Sequence, residues 1–160
     1  MGPERAAMKI GIVSDIHGNH QALKRAIDLM GPVDRLVSLG DNIDQFRFSN
    51  DVVRILRDHD VLTLTGNHEA VFFSPLGFRA RQPSWIDRDL VTWLGTRPGH
   101  CTFTAGGRTV LMVHATPWTS DWDYVYPHSP DFRRFGSVDA DIVLYGHTHC
   151  PVVRDVTGTL

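Results

Sequence analysis

Five times along this chain of 160 residues, a run rich in apolar and β-branched side chains ends on histidine, aspartate or asparagine, and four of the five polar clusters contain glycine. Lys9 to Ser14 leads into Asp15-Ile16-His17-Gly18, and Arg35 to Leu39 into Gly40-Asp41-Asn42. Val61 to Thr65 leads into Gly66-Asn67-His68-Glu69, Thr109 to Val113 into His114, and Ile142 to Tyr145 into Gly146-His147-Thr148-His149. Short apolar runs of this kind read as buried strands. Between the first three lie helical patterns, so the order is strand, helix, strand, helix, strand. That order predicts parallel strands with helices packed on the sheet. Parallel α/β sheets bind ligands at the carboxyl ends of their strands, which is where the polar clusters fall.

The first helix is expected over Asn19 to Met30, with Leu23, Ala26, Ile27 and Met30 on one face and Gly31 as its stop. Ser49 or Asn50 caps a second, whose apolar face is Val52, Val53 and Leu56. From Glu69 to Gly99 the pattern loosens, with one short helix around Asp89 to Leu94. Thr102 to Ala105, Gly106-Gly107 and Thr109 to Val113 read as a hairpin. A loop rich in aromatics follows, with Trp118, Trp122, Tyr124 and Tyr126. Val152 to Val156 reads as one arm of a last hairpin whose return strand is not in the sequence.

The length suits one domain, expected over 8–160, with residues 1–7 as an N-terminal extension ahead of Met8. An apolar fraction of 42% with 21% charged residues excludes a disordered chain. A formal net charge of -2 argues against specific nucleic-acid binding, and no apolar run reaches membrane-spanning length. Two cysteines, Cys101 and Cys150, are too few for a disulfide framework, which favours a reducing, cytoplasmic setting. Cys150 is expected to be a small buried thiol.

The donor types suit divalent transition metals: imidazole for zinc, iron, nickel or manganese, carboxylate and amide oxygen for the harder of these. Two aspartates, one asparagine and four histidines (Asp15, His17, Asp41, Asn67, His114, His147 and His149) fill two sites if one carboxylate bridges. Two ions ~3.5–4 Å apart would clamp the attacking and leaving oxygens of an in-line displacement and acidify a shared water. No glycine-rich loop is followed by Lys and Ser/Thr, so a nucleoside-triphosphate cradle is not supported.

Taken in order, Asp15-x-His17, Gly40-Asp41, Gly66-Asn67-His68-Glu69, His114 and Gly146-His147-x-His149 resemble the five motifs of the calcineurin-like metallophosphoesterase superfamily. The stretch from Met8 to Asn19 is most similar to its small single-domain phosphodiesterases. The resemblance implies a four-layer α/β/β/α sandwich of two mixed sheets with outer helices, here short of the last strand or strands. It implies that Asp15, His17 and His149 hold one ion, Asn67, His114 and His147 a second, and that Asp41 bridges. It implies two divalent ions per chain, manganese favoured. It implies that a bridging hydroxide attacks a phosphate ester, with phosphodiesters favoured. His68 is implied as the catalytic group that serves the leaving oxygen, and Glu69 as its support or a ligand's.

Three departures stand out. Ala115 follows His114 where relatives often have glycine, the run after Asp41 lacks their Gly-Pro, and no Asn-Pro-Gly-Ser turn follows His149.

Other residues have two readings. Asp44 is either a support for the site or a solvated loop acid. Trp118 and Trp122 either pack as core or form a wall for a nucleobase or aryl leaving group. Arg79 and Arg81 could reach a second phosphate but read better as solvated. His20, His59, His100 and His128 read as structural or solvated.

The expected partner is a phosphate ester, a nucleotide among the candidates. Alternatives within the fold are a phosphomonoesterase or protein phosphatase, and a dinucleoside-polyphosphate hydrolase. An alternative of another class is a protein-interaction scaffold with a silent metal site. Scaffold relatives lose active-site histidines; this chain keeps the whole set.

Overall fold

The computed structural model describes residues 7–118 and 122–156. Three parallel strands, β1 (Ile10–Val13), β2 (Arg35–Ser38) and β3 (Leu62–Thr63), form the first sheet in the order β1-β2-β3. The second sheet joins β4 (His100–Ala105), β5 (Arg108–Val113) and β6 (Ile142–Leu144), with β4 antiparallel and β6 parallel to β5. Gly106 and Gly107, both at positive φ, make the two-residue turn between β4 and β5.

Side-chain alternation along the strands sets the layers. On β2, Leu36 points to α1 (His20–Met30) and α2 (Asn50–Asp58), where it meets Leu23, Val52 and Leu56. Its neighbour Val37 points the other way, into a core shared with Leu39, Leu64 and Met112, against which Cys101, Phe103 and Leu144 of the second sheet pack. On β6 the parity repeats: Leu144 faces the first sheet, while Val143 faces outward onto Phe132 and Phe135. The helical layer there is a 3-10 stretch, Pro130–Ser137. Among the described residues no helix is long and apolar enough to cross a membrane.

Helix starts follow side-chain caps. Asn19 accepts from the Ala22 amide at 3.0 Å, and Ser49, rather than Asn50, accepts from Val52 at 3.3 Å. The expected Asp89 to Leu94 helix is α4 (Arg88–Gly95), capped by Asp87.

Two expectations fail. Val152 to Val156 make no strand; Val152 and Val156 pack instead against Val125, Phe132 and Phe135, so their alternation serves that small core rather than a ladder. Cys150 is exposed, not a buried thiol, because it lies with His149 on the surface beyond the end of β6. One helix was not anticipated: α3 (Asn67–Phe73) begins inside the third polar cluster. Arg81 donates to the carbonyls of Phe72 and, at 3.0 Å, of Ser74, so it closes the end of α3 rather than facing solvent alone.

The start of α3 depends on a buried carboxylate. Glu69 is fully buried. Its Oε2 accepts from the amides of Gly66 (2.8 Å) and Asp41 (2.9 Å), and its Oε1 from those of Asn42 (2.8 Å) and Ile43 (3.0 Å). Burial raises its pKa to about 6 against the pull of those amides, so it stays ionised at neutral pH. Where the two clasped loops meet, Gly40 has φ +102° and a Cβ there would sit 2.8 Å from Gly66 N and 2.8 Å from His114 Nδ1. Glu69→Gln keeps the shape but turns an N–H₂ toward two amide donors. It should lower unfolding free energy by ~1–3 kcal/mol, read as a lower urea midpoint; an unchanged midpoint would remove the clasp from the account.

Candidate metal centre

All seven proposed donors lie at the carboxyl ends of strands or one residue into the helix that follows, as the strand order requires. Three groups bring ligand-type atoms within 4.8 Å of one another: Asp15, His17 and His149; His17, Asp41 and His68; Asp41, His114 and His147. His17 and Asp41 each belong to two groups, so the three are continuous. Among the described residues six non-glycine positions have left-handed φ, and five of them are Asp15, His17, Asp41, His147 and His149. Such backbone costs ~1–3 kcal/mol per residue. Its concentration on these side chains marks a site shaped for a purpose other than stability.

The polar atoms there are incompletely satisfied. Asp15 Oδ2 accepts from Ser14 Oγ (2.5 Å) and from the His147 amide (3.0 Å). Asp15 Oδ1 and His147 Nε2 are buried with no hydrogen-bond partner. Asp15 Oδ1 lies 3.3 Å from His149 Nε2 but is not aligned with it as a hydrogen bond. His149 Nε2 is in turn 3.2 Å from His17 Nε2. Buried polar groups are rarely left unpaired, so two in one place, aimed among other donors, fit a cation.

Backbone partners divide the histidines into two kinds. His114 Nδ1 faces the Leu39 carbonyl at 2.9 Å. A carbonyl only accepts, so Nδ1 carries the proton and the neutral ring turns its lone pair, on Nε2, toward Asn67 Oδ1 (2.9 Å) and Asp41 Oδ2 (3.4 Å). In His147 it is Nε2 that is buried and unpartnered. His68 is the reverse. The Gln45 amide donates to its Nδ1 at 3.1 Å, so the neutral ring carries its proton on Nε2, 3.9 Å from Asp41 Oδ2. Such a ring offers a proton, not a lone pair.

Burial, then the neighbouring His68, lowers the pKa of His17; burial, then His114, lowers that of His147. Both therefore stay neutral, as metal ligands must. For His114 burial pushes downward, but a proton on Nε2 shared with Asp41 prevails and the pKa rises, so a cation at Nε2 would displace that proton. For Asp41 burial pushes upward, and His114 with the His68 amide more than offsets it.

The remaining expected residues are less central. Asp44 Oδ1 accepts from the Phe46 amide at 3.3 Å and shapes its own turn. Trp118 packs on Phe135 (ring centroids 4.9 Å apart) under Arg134, in the outer core. The Trp122 side chain is exposed. The ring that does stack on a donor is Tyr124, 4.0 Å from that of His147. It stands in the aromatic loop, but spacing alone could not separate it from its neighbours. Asn42, buried at the back of the site, accepts from Ser38 Oγ (2.5 Å) and donates to the Leu64 carbonyl (2.9 Å).

The chain is 27% identical to an uncharacterized protein of Methanocaldococcus jannaschii over 94% of its own length and 66% of that protein's. A crystal structure of a metallophosphoesterase from Sphaerobacter thermophilus matches with TM-score 0.68 and 27% identity, over 90% of this chain and 62% of that one. The chain thus spans just under two thirds of either relative. A shorter segment, 39% of the chain, is 40% identical to 30% of serine/threonine-protein phosphatase 2 of Escherichia coli. The model of the calcineurin-like phosphoesterase superfamily domain matches residues 8–160, and with that match, this fold and these converging donors, the chain belongs to that superfamily.

Proposed function

We propose that this chain hydrolyses phosphate esters, phosphodiesters in preference to monoesters, at a centre holding two divalent cations. The observation that carries this reading is the pair of buried, unpartnered donors, Asp15 Oδ1 and His147 Nε2, each within a group of further ligand-type atoms. Asp15, His17 and His149 would hold one cation. Asn67, His114 and His147 would hold the other, and Asp41, which stands between the groups, would touch both. When bound, the cations supply positive charge for the phosphoryl oxygens and a water made acidic enough to attack at neutral pH.

The rest is the work of side chains. Asp15 is held by Ser14 and the His147 amide, so one carboxylate oxygen is pinned and the other is presented to the site. The Leu39 carbonyl fixes the His114 ring with Nε2 inward. Tyr124 covers the face of His147. His68 keeps its proton on Nε2 because the Gln45 amide occupies Nδ1. That proton is available to the oxygen that leaves phosphorus, as hydrogen-bond donor or general acid.

The test is hydrolysis of bis(p-nitrophenyl) phosphate and p-nitrophenyl phosphate by protein stripped of metal and then given manganese, nickel or zinc. Metal-dependent turnover, faster on the diester, is expected, with two ions bound per chain. Absence of both turnover and bound metal would sink the reading and favour the scaffold alternative. In Asp41→Asn both cations should bind more weakly and most of the rate should disappear; full activity with both retained would remove Asp41 from between them. His68→Ala should keep its metal and lose ~10²–10⁴-fold in kcat, whereas loss of metal would make His68 a ligand. Tyr124→Ala should weaken manganese binding about tenfold without moving the unfolding midpoint, and unchanged affinity would reduce Tyr124 to surface packing.

A further inference from the structure

Beside the metal centre lies a cleft of about 580 Å³ that none of the reaction steps above uses. His17 forms part of its wall, so it opens from the centre itself. Arg47, Arg54, Asp51 and Trp85 line it as well. Its size falls within the range of small-molecule sites.

Two of these side chains are spoken for and two are not. Arg54 pairs with Asp51 at 3.3 Å and with Asp87 at 3.6 Å, so its charge, and that of Asp51, are balanced within the protein. Arg47 is exposed and makes no ion pair among the described residues. Its backbone is nonetheless fixed, since Arg47 and Asp44 exchange amide hydrogen bonds at 3.1 and 3.2 Å across a tight turn. An unpaired guanidinium on a fixed turn is a fork preset for a phosphate. Trp85 is 57% exposed, while its carbonyl accepts from Asn50 Nδ2 at 2.8 Å. An indole face held by its backbone and left open in a cleft is a platform for a flat ring.

We propose that this cleft binds the part of the substrate that is not being cleaved, and that this part is a nucleotide: a further phosphate on Arg47 and a nucleobase on Trp85. The proposal rests on the function proposed above and adds a substrate class to it. A long nucleic-acid strand is not the occupant favoured, because one unpaired arginine in the cleft among the described residues and a formal net charge of -2 offer no track for a phosphate backbone. One phosphorylated unit of nucleotide size matches one guanidinium and one indole.

Calorimetry on the manganese-loaded full chain separates the two contacts. The probes are adenosine 5′-(α,β-methylene)diphosphate, which resists cleavage between its phosphorus atoms, and methylenediphosphonate, which has no base. Arg47→Ala should weaken both probes about tenfold, the loss of one charge-assisted contact. Trp85→Ala should weaken the nucleotide about tenfold and leave methylenediphosphonate as it was. Trp85→Phe should restore most of the nucleotide affinity, and unfolding midpoints equal to wild type exclude a folding defect. Nucleotide affinity unchanged in both variants, or both probes equally affected by Trp85→Ala, would overturn the proposal. Turnover of bis(p-nitrophenyl) phosphate by the wild type is scored separately. Its absence together with the expected binding pattern would count against the hydrolytic reading and leave the nucleotide cleft standing.

Discussion

The site depends on one buried negative charge that never faces it. Glu69 gathers the amides of Asp41, Asn42 and Ile43 from the loop after β2 and that of Gly66 from the loop after β3. Without a counter-charge this carboxylate would be costly to bury. Four amide dipoles offset much of that cost, and in doing so they fix the relative position of two loops from distant parts of the chain. Asp41, Asn67 and His68 ride on those loops. α3 can begin with no Ser, Thr, Asp or Asn cap because Asp41 Oδ1, held in place by the clasp, takes the His68 amide at 2.9 Å, while Glu69 takes that of Gly66.

The strand ends were legible because two periodicities agree. Apolar runs gave β1, β2, β5 and β6, and each ends where a polar cluster begins. The hairpin at Gly106-Gly107 was equally plain, since only glycine takes that pair of conformations freely. What the sequence hid has a common cause. Val152 to Val156 alternate like a strand, yet alternation records only which residues are apolar, and a local core over Phe132 and Phe135 uses the same pattern. The helix over Asn67–Phe73 was masked because its start coincides with a motif read for chemistry, and its stabilising contacts come from residues 26–28 positions away. Arg79 and Arg81 read as solvated, yet Arg81 is engaged by carbonyls at the end of α3, and Arg47 carries no sequence signal at all.

Histidine roles show the same limit more sharply. Five histidines stand in the polar clusters, and composition treats them alike. Their difference lies in which backbone group meets the far ring nitrogen. A carbonyl behind His114 turns the lone pair of the neutral ring inward; an amide behind His68 turns a proton inward. Main-chain atoms are common to every residue, so no motif can encode this choice. It becomes visible only when the loops are placed.

The short turn from Asp44 to Arg47 then links the two halves of the site. Asp44 Oδ1 takes the Phe46 amide, and the Asp44 and Arg47 backbones bond to each other, so the four residues form one rigid unit. From that unit the Gln45 amide reaches His68 and Arg47 lines the cleft. A group drawn onto Arg47 is therefore held by the same turn that sets the proton on His68. Binding of the uncleaved part of a substrate and delivery of a proton to its leaving oxygen would share one backbone reference. Remote binding can promote reaction only if the remote contact and the reacting group keep a fixed separation. A four-residue turn closed by its own hydrogen bonds meets that condition with very little chain.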